Sequence, residues 1–130
     1  MATLNQKLQI KPGQRLGVFY PPPGIFETIS AGLEGCEVMA GAAGKMDAVL
    51  VFVTALAEVP ARWAEAQDAL LPGGLMWMAY AKGGSGIKTD VNRDRLFEAV
   101  KPLGWLGIRI VALDDTWSAL RFRPAELVGK

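Results

Sequence analysis

Histidine is absent from the 130 residues of this chain. No Ser-His-Asp or Cys-His nucleophilic site can be assembled without it, and no imidazole is available to ligate a metal. Cysteine occurs once, at Cys36. A single thiol forms no intrachain disulfide and builds no zinc centre, so no metal site is expected. Such sparing use of cysteine fits a reducing compartment, and a cytoplasmic location is expected. Net charge is scarce as well, because 14 Lys and Arg against 13 Asp and Glu leave only +1. Proteins that grip phosphate backbones carry a basic excess, so nucleic acid is not an expected partner. No run of about 18 apolar residues occurs, which excludes a spanning helix and makes a membrane an unexpected partner. The stretch from Met1 to Ile10 has no long apolar core of the secretory kind. Acid–base chemistry, if any, falls to Asp, Glu, Lys or Tyr.

What the chain does have is core material. It is 51% hydrophobic and 21% charged, a balance that argues against disorder and for one folded domain over residues 1–130. Met1 to Arg15 reads as a polar, irregular lead-in ending in the turn Lys11-Pro12-Gly13. A first strand is predicted over Leu16 to Tyr20, stopped by Pro21-Pro22-Pro23-Gly24. A helix can begin near Pro23, since proline is tolerated in a first turn; Ile25, Phe26, Ile29 and Leu33 share one face of it. A short strand, Cys36 to Ala40, leads to a small-residue loop, Gly41 to Gly44.

Two stretches carry no polar alternation, Ala48 to Val53 and Leu75 to Ala81. Such strands are buried on both faces, as at the centre of a parallel sheet. Between them a helix is predicted from Glu58 to Leu70, with Val59, Trp63, Ala66 and Leu70 inward and Leu71-Pro72-Gly73-Gly74 ending it. A further helix carries Leu96, Phe97, Val100 and Leu103, capped by Thr89 or Asp90. The last two strands, Leu106 to Leu113 and Trp117 to Arg123, are joined only by Asp114-Asp115-Thr116. So short a connection makes them antiparallel neighbours. The four tryptophans, Trp63, Trp77, Trp105 and Trp117, read as core or interface anchors. Asp114 and Asp115 read as turn residues, Asp47 as a strand-entry residue, and Cys36 as a small hydrophobe.

The segments Met46-Asp47-Ala48-Val49-Leu50-Val51-Phe52 and Leu70-Leu71-Pro72-Gly73-Gly74-Leu75-Met76-Trp77-Met78 resemble the two central strands of a class I methyltransferase. The order of elements resembles that fold with one strand–helix unit removed. Three separated motifs, Ala79 to Gly84, Lys88 to Asp94 and Asp114 to Phe122, are similar to the DUF3052 family of small bacterial proteins of unknown function. The resemblance implies a three-layer Rossmann-like α/β sandwich, a mainly parallel sheet closed by an antiparallel hairpin, and a bacterial source. It implies no activity. In working methyltransferases the first strand ends in a glycine-rich loop whose N–H groups face the cofactor. Here that turn is a proline run, and proline has no N–H to offer. Nor does Met39-Ala40-Gly41 supply the carboxylate that usually ends the second strand and holds ribose; Glu37 stands too early. No cofactor is expected on these grounds, S-adenosylmethionine being the one the scaffold would otherwise imply.

One region remains a candidate site, because ligands of open α/β sheets bind beyond the carboxyl ends of the strands. The segment Lys82 to Asp94 leaves such an end and carries Lys82, Ser85, Lys88, Thr89, Asp90, Asn92 and Arg93 among glycines 83, 84 and 86. It could hold an anionic group, or be a solvated loop before a capped helix. Three readings of function follow. The first is a non-catalytic module acting through a protein partner or self-association, and the second a binder or enzyme for a small anionic ligand at Lys82 to Asp94. The third is a degenerate methyltransferase.

Overall fold

The computed structural model describes residues 3–128. Six strands form one sheet: β1 (Arg15–Phe19), β2 (Glu37–Ala40), β3 (Met46–Phe52), β4 (Leu70–Ala81), β5 (Trp105–Ala112) and β6 (Trp117–Pro124). Their spatial order is β2-β1-β3-β4-β6-β5. The first four run parallel, and β6 is inserted antiparallel between β4 and β5. The helices are α1 (Leu4–Leu8), α2 (Ile25–Gly32), α3 (Val59–Ala69) and α4 (Arg93–Val100).

The two apolar runs are central strands, and their alternation explains the layers. Val49, Val51 and Met78 point into a core with Val59, Trp63 and Ala66 of α3 and Leu96 and Val100 of α4. Ala48, Leu50, Phe52 and Trp77 point the other way, against Leu8, Ile10, Ile25, Ile29 and Leu33. A sheet covered on both faces leaves its middle strands no polar side, which is why they read as unbroken hydrophobic stretches. Trp63 meets Trp105 and Phe122 edge-on, with ring centroids 5.4 and 5.2 Å away.

Four expectations need correction. Leu70 to Gly74, read as a helix end and turn, is the start of β4. Residues 1–15 are not irregular where described. Thr3 caps α1 in a reciprocal box, its Oγ1 accepting from the Gln6 N–H while Gln6 Oε1 accepts from the Thr3 N–H. Leu8 and Ile10 are fully buried, and the indole of Trp77 donates to the Leu8 carbonyl at 3.1 Å. A five-residue helix shows no periodicity and is too short to stand alone, so only tertiary packing reveals it. Third, α4 is capped by Asn92, whose Oδ1 accepts from the Arg95 N–H at 2.8 Å. Fourth, Leu103 lies past the end of α4, in a 3-10 turn, and is exposed.

The place of the missing strand–helix unit is taken by five residues. Strands β2 and β3 flank β1 and run parallel to it, so residues 41–45 must cross β1 to return. Parallel crossovers ordinarily need a dozen residues or more. This one lies flat on Gly17: a Cβ there would stand 2.4 Å from the Gly41 carbonyl oxygen. The Gly41 N–H donates to the Val18 carbonyl at 2.7 Å. Arg15 clamps the rest, donating to Ala43 O at 2.7 Å and Lys45 O at 3.1 Å while pairing with Glu37 at 2.6 Å.

Candidate functional site

The parallel strands deliver Phe19, Phe52 and Ala81 to one pole of the sheet, and the β5–β6 hairpin reaches the same pole. A cleft of about 510 Å³ opens there, lined by Tyr20, Pro21, Thr54, Arg62, Ile87 and Trp117 among others. Tyr20 leaves β1 in the left-handed region, at φ 59°. That conformation is strained for a bulky residue. It turns the ring outward, under the Arg62 guanidinium, whose carbon lies 4.1 Å from the ring centroid. The phenol donates to Glu65 at 2.5 Å. That hydrogen bond, then burial and the Glu65 charge, holds the Tyr20 phenol above its ordinary range, with Arg62 opposing.

Arg62 is held by two further partners. It donates to the Phe52 carbonyl and to Glu58, each at 2.9 Å. Glu58 presents its other oxygen to the backbone N–H groups of Thr54 (2.9 Å) and Ala55 (3.0 Å). The next amide, Leu56, donates to Asp90 at 2.8 Å. The three successive donors that follow β3 are therefore satisfied by the chain's own carboxylates. The Thr54 hydrogen bond is the first cause that lowers the Glu58 pKa; the Ala55 bond and Arg62 act the same way, while burial and Asp90 oppose.

That depressed value fixes a sign. A carboxyl with a lower pKa folded than unfolded stabilises the fold above the unfolded value, about 4.3, and this stabilisation is lost as pH falls through the folded value. Glu58→Gln is therefore expected to unfold at lower urea than the parent at neutral pH, with the gap closing as the pH drops below the carboxylate range. A gap that stays constant across that range would contradict the assignment.

The segment from Lys82 to Asp94 lies at this pole, and most of its polar side chains bond to the chain's own groups. Lys82 Nζ donates to the Asp114 carbonyl at 2.7 Å, and its backbone N–H to Thr116 O at 2.8 Å. Ser85 accepts from the Ile87 N–H. Thr89 donates to the Thr54 carbonyl at 2.7 Å and accepts from the Val91 N–H. Asp90 holds Leu56, and Asn92 caps α4. Arg93 pairs with its neighbour Asp94 in solvent, and Lys88 is exposed. Asp114 accepts from the Thr116 and Trp117 N–H groups, a turn role as read from the sequence. Burial raises the Cys36 thiol pKa, with an opposing hydrogen bond from Asn5, so its environment does not activate it.

Sequence reasoning missed Tyr20, Glu58, Arg62 and Glu65. One signal was available, since Glu58 and Arg62 stand four apart at a helix start, a spacing that pairs them on one face. The three motifs quoted above converge here. The first, at Lys82, is tied to the third at Asp114 and Thr116. The second reaches Thr54 and Leu56, and Trp117 of the third meets Phe52 edge-on at 5.3 Å.

No protein-family model and no curated protein sequence matches the chain. Solved structures do match in fold. A DhpI–SAH complex superposes with a TM-score of 0.56 at 16% identity, over 85% of this chain and 76% of that one. The glycopeptide N-methyltransferase MtfA gives 0.57 at 9% identity, over 88% and 85%. A ribosomal protein L11 methylase from Lactobacillus delbrueckii subsp. bulgaricus gives 0.59 at 8% identity, over 93% and 74%. The fold is thus that of the S-adenosylmethionine-dependent methyltransferases, a truncated Rossmann-like α/β sandwich.

Proposed function

We propose that this chain is a non-catalytic member of the methyltransferase-like fold, one that does not take up S-adenosylmethionine and acts through a protein partner or a second copy of itself. A shared fold does not carry a shared activity, so the residues at the pole must decide. The observation that carries the proposal is the filling of the Thr54, Ala55 and Leu56 amides by Glu58 and Asp90. Ligands of open α/β sheets bind beyond the carboxyl ends of the strands, where free backbone donors can meet a ligand's acceptors. Here an incoming ligand would have to displace two carboxylates from hydrogen bonds that already satisfy them. The turn after β1 adds no replacement donors at Pro21, Pro22 and Pro23. The strand β2 ends in Ala40, and Glu37 is held by Arg15 at the opposite end of that strand. The residues present therefore do not fit the cofactor.

What the pole does instead is brace the fold. Its hydrogen bonds tie the β3 exit to α3, to the segment before α4 and to the hairpin. The association part of the proposal is supported by the edge strand β5. Ile108 and Ile110 are 40% and 46% exposed on it, and an open sheet edge presents unpaired backbone groups to a neighbour. The DUF3052 resemblance is compatible with this reading and is part of the proposal.

Equilibrium dialysis against methyl-labelled S-adenosylmethionine tests it. Equal label on both sides of the membrane at millimolar cofactor is the expected result. Saturable uptake in the micromolar range would overturn the proposal in favour of a working or residual methyltransferase.

A further inference from the structure

Among the described residues the sheet ends at β5, which pairs only with β6. This edge is eight residues long, against four for β2 at the other edge. A long open edge presents unpaired backbone groups to an incoming strand, and a short one presents few. Charge is one device that blunts such edges, and here the charge is of one sign. Strands β5 and β6 place Arg109 directly across from Arg121. Arg123, two residues along β6, lies on the same face as Arg121, the face of Trp77, its register partner on β4. Among the described residues the ion pairs are Arg15–Glu37, Glu58–Arg62 and Arg93–Asp94, so none of these three arginines has a carboxylate partner. Like charges facing one another across strands are destabilising unless something compensates them. Burial first, then the Arg123 and Arg109 charges, lowers the Arg121 pKa below its ordinary value. Lys7 brings another cation to the far end of β5, its Nζ donating to the Ala112 carbonyl at 3.3 Å.

The other face of the same edge is apolar. Ile110 stands across from Leu120, which belongs to the core of Trp63. Ile108 sits at a bulge between Gly107 and Arg109, and regular pairing resumes from Arg109 to Ala112. Both isoleucines are exposed. With Phe97 of α4 and Leu120 they line an open groove of about 370 Å³ beside the strand. The edge therefore has a cationic side and an apolar side. Successive side chains of an added strand would point to one and then to the other.

We infer that β5 is the docking edge for an extended acidic segment of a partner protein, which adds as a further strand, its carboxylates toward the arginine row and its alternate apolar side chains toward Ile108, Ile110 and Phe97. In such strand addition main-chain hydrogen bonds supply affinity and the alternate side chains supply selection. Arg109, on the edge strand itself, is the nearest cation. Arg121 and Arg123 lie one strand further in, about 4.8 Å, and act through their charge. A second copy of this chain fits less well. In a symmetric antiparallel pairing centred on β5, Arg109 would meet its own counterpart directly or on the diagonal, adding to the uncompensated charge. The inference rests on the association reading given above and names the partner's chemistry.

The test is a titration of ¹⁵N-labelled full-length protein with a short blocked peptide alternating glutamate with valine. Peptides alternating lysine with valine and glutamate with serine are the controls. Saturable shifts of the β5 backbone amides are expected with the glutamate–valine peptide, weaker ones with glutamate–serine, and none with lysine–valine. Arg109→Glu, exposed on the edge, is expected to weaken binding about tenfold or more through charge reversal. Ile110→Ser, also exposed, should weaken it about threefold or more through lost apolar contact. Absence of saturable shifts, equal binding of the lysine–valine peptide, or unchanged affinity in folded Arg109→Glu would overturn the inference. Shifts of β5 on raising protein concentration alone would overturn it in favour of a second copy. These failures are distinct from failure of the association reading, which saturable S-adenosylmethionine uptake in the dialysis would signal.

Discussion

Replacing Gly17 with valine is expected to remove about 3 kcal/mol or more of stability, a large share of a typical margin of about 5–15 kcal/mol. The reason is not conformational freedom, because Gly17 has no positive φ. It is space: the first side-chain carbon would stand 2.4 Å from the Gly41 carbonyl, and Met46 Cγ and Phe19 Cε1 lie 3.3 Å away. The Gly41 oxygen is backbone and cannot swing aside. The segment that carries it is fixed at both ends by strands and along its length by Arg15. Even Gly17→Ala meets the same oxygen, so both variants should unfold at much lower urea than the parent. A loss below about 1 kcal/mol for Gly17→Val would mean that residues 41–45 do not cross β1 as described.

The second large effect is expected at Trp77. It is fully buried in the middle of β4, and its indole N–H is a buried link between the sheet and the carboxyl end of α1. Trp77→Ala should cost about 3–5 kcal/mol through lost burial and the cavity left behind. Trp77→Phe separates the two roles of the residue. It keeps most of the apolar volume but leaves the Leu8 carbonyl without its donor, at about 1–3 kcal/mol. Hydrogen exchange in Trp77→Phe should speed up most around Leu8 and Ile10, with β3 and β4 little changed. Uniform acceleration across the sheet would show that the indole bond does not anchor the amino-terminal segment.

Both predictions concern features that the sequence shows unevenly. Central strands announce themselves, because burial on both faces removes every polar residue from Val49 to Val53 and from Leu75 to Ala81. The closing hairpin is equally legible, since Asp114 to Thr116 is too short for a parallel return. The crossing over Gly17 is not. Gly41-Ala42-Ala43-Gly44 reads as a loop whatever lies beneath it, and the need for glycine at position 17 arises from a residue 24 positions away in sequence. Helix α1 is hidden for a related reason, as Leu8 and Ile10 acquire meaning only against Trp77.

The functional pole shows the same division. That Lys82 to Asp94 leaves the carboxyl end of a central strand could be read from strand order. What its side chains bind could not, because Thr89 is drawn away from α4 by the Thr54 carbonyl and Asp90 by the Leu56 N–H. Asn92 then takes the cap. The Glu58–Arg62 spacing stood in the sequence, but nothing local told that their partners are the Thr54 and Ala55 amides and the Tyr20 ring.

The central claim is that the chain's own carboxylates occupy the backbone donors past β3, at the pole where ligands of open α/β sheets bind. The most direct measurement is a ¹H–¹⁵N titration with S-adenosylhomocysteine, read at the backbone amides of Thr54, Ala55 and Leu56. The account predicts that these three signals do not move at millimolar ligand, and that the Thr54 and Ala55 signals shift together when Glu58 is protonated at low pH. A saturable shift of the same three amides on adding S-adenosylhomocysteine at neutral pH would contradict it.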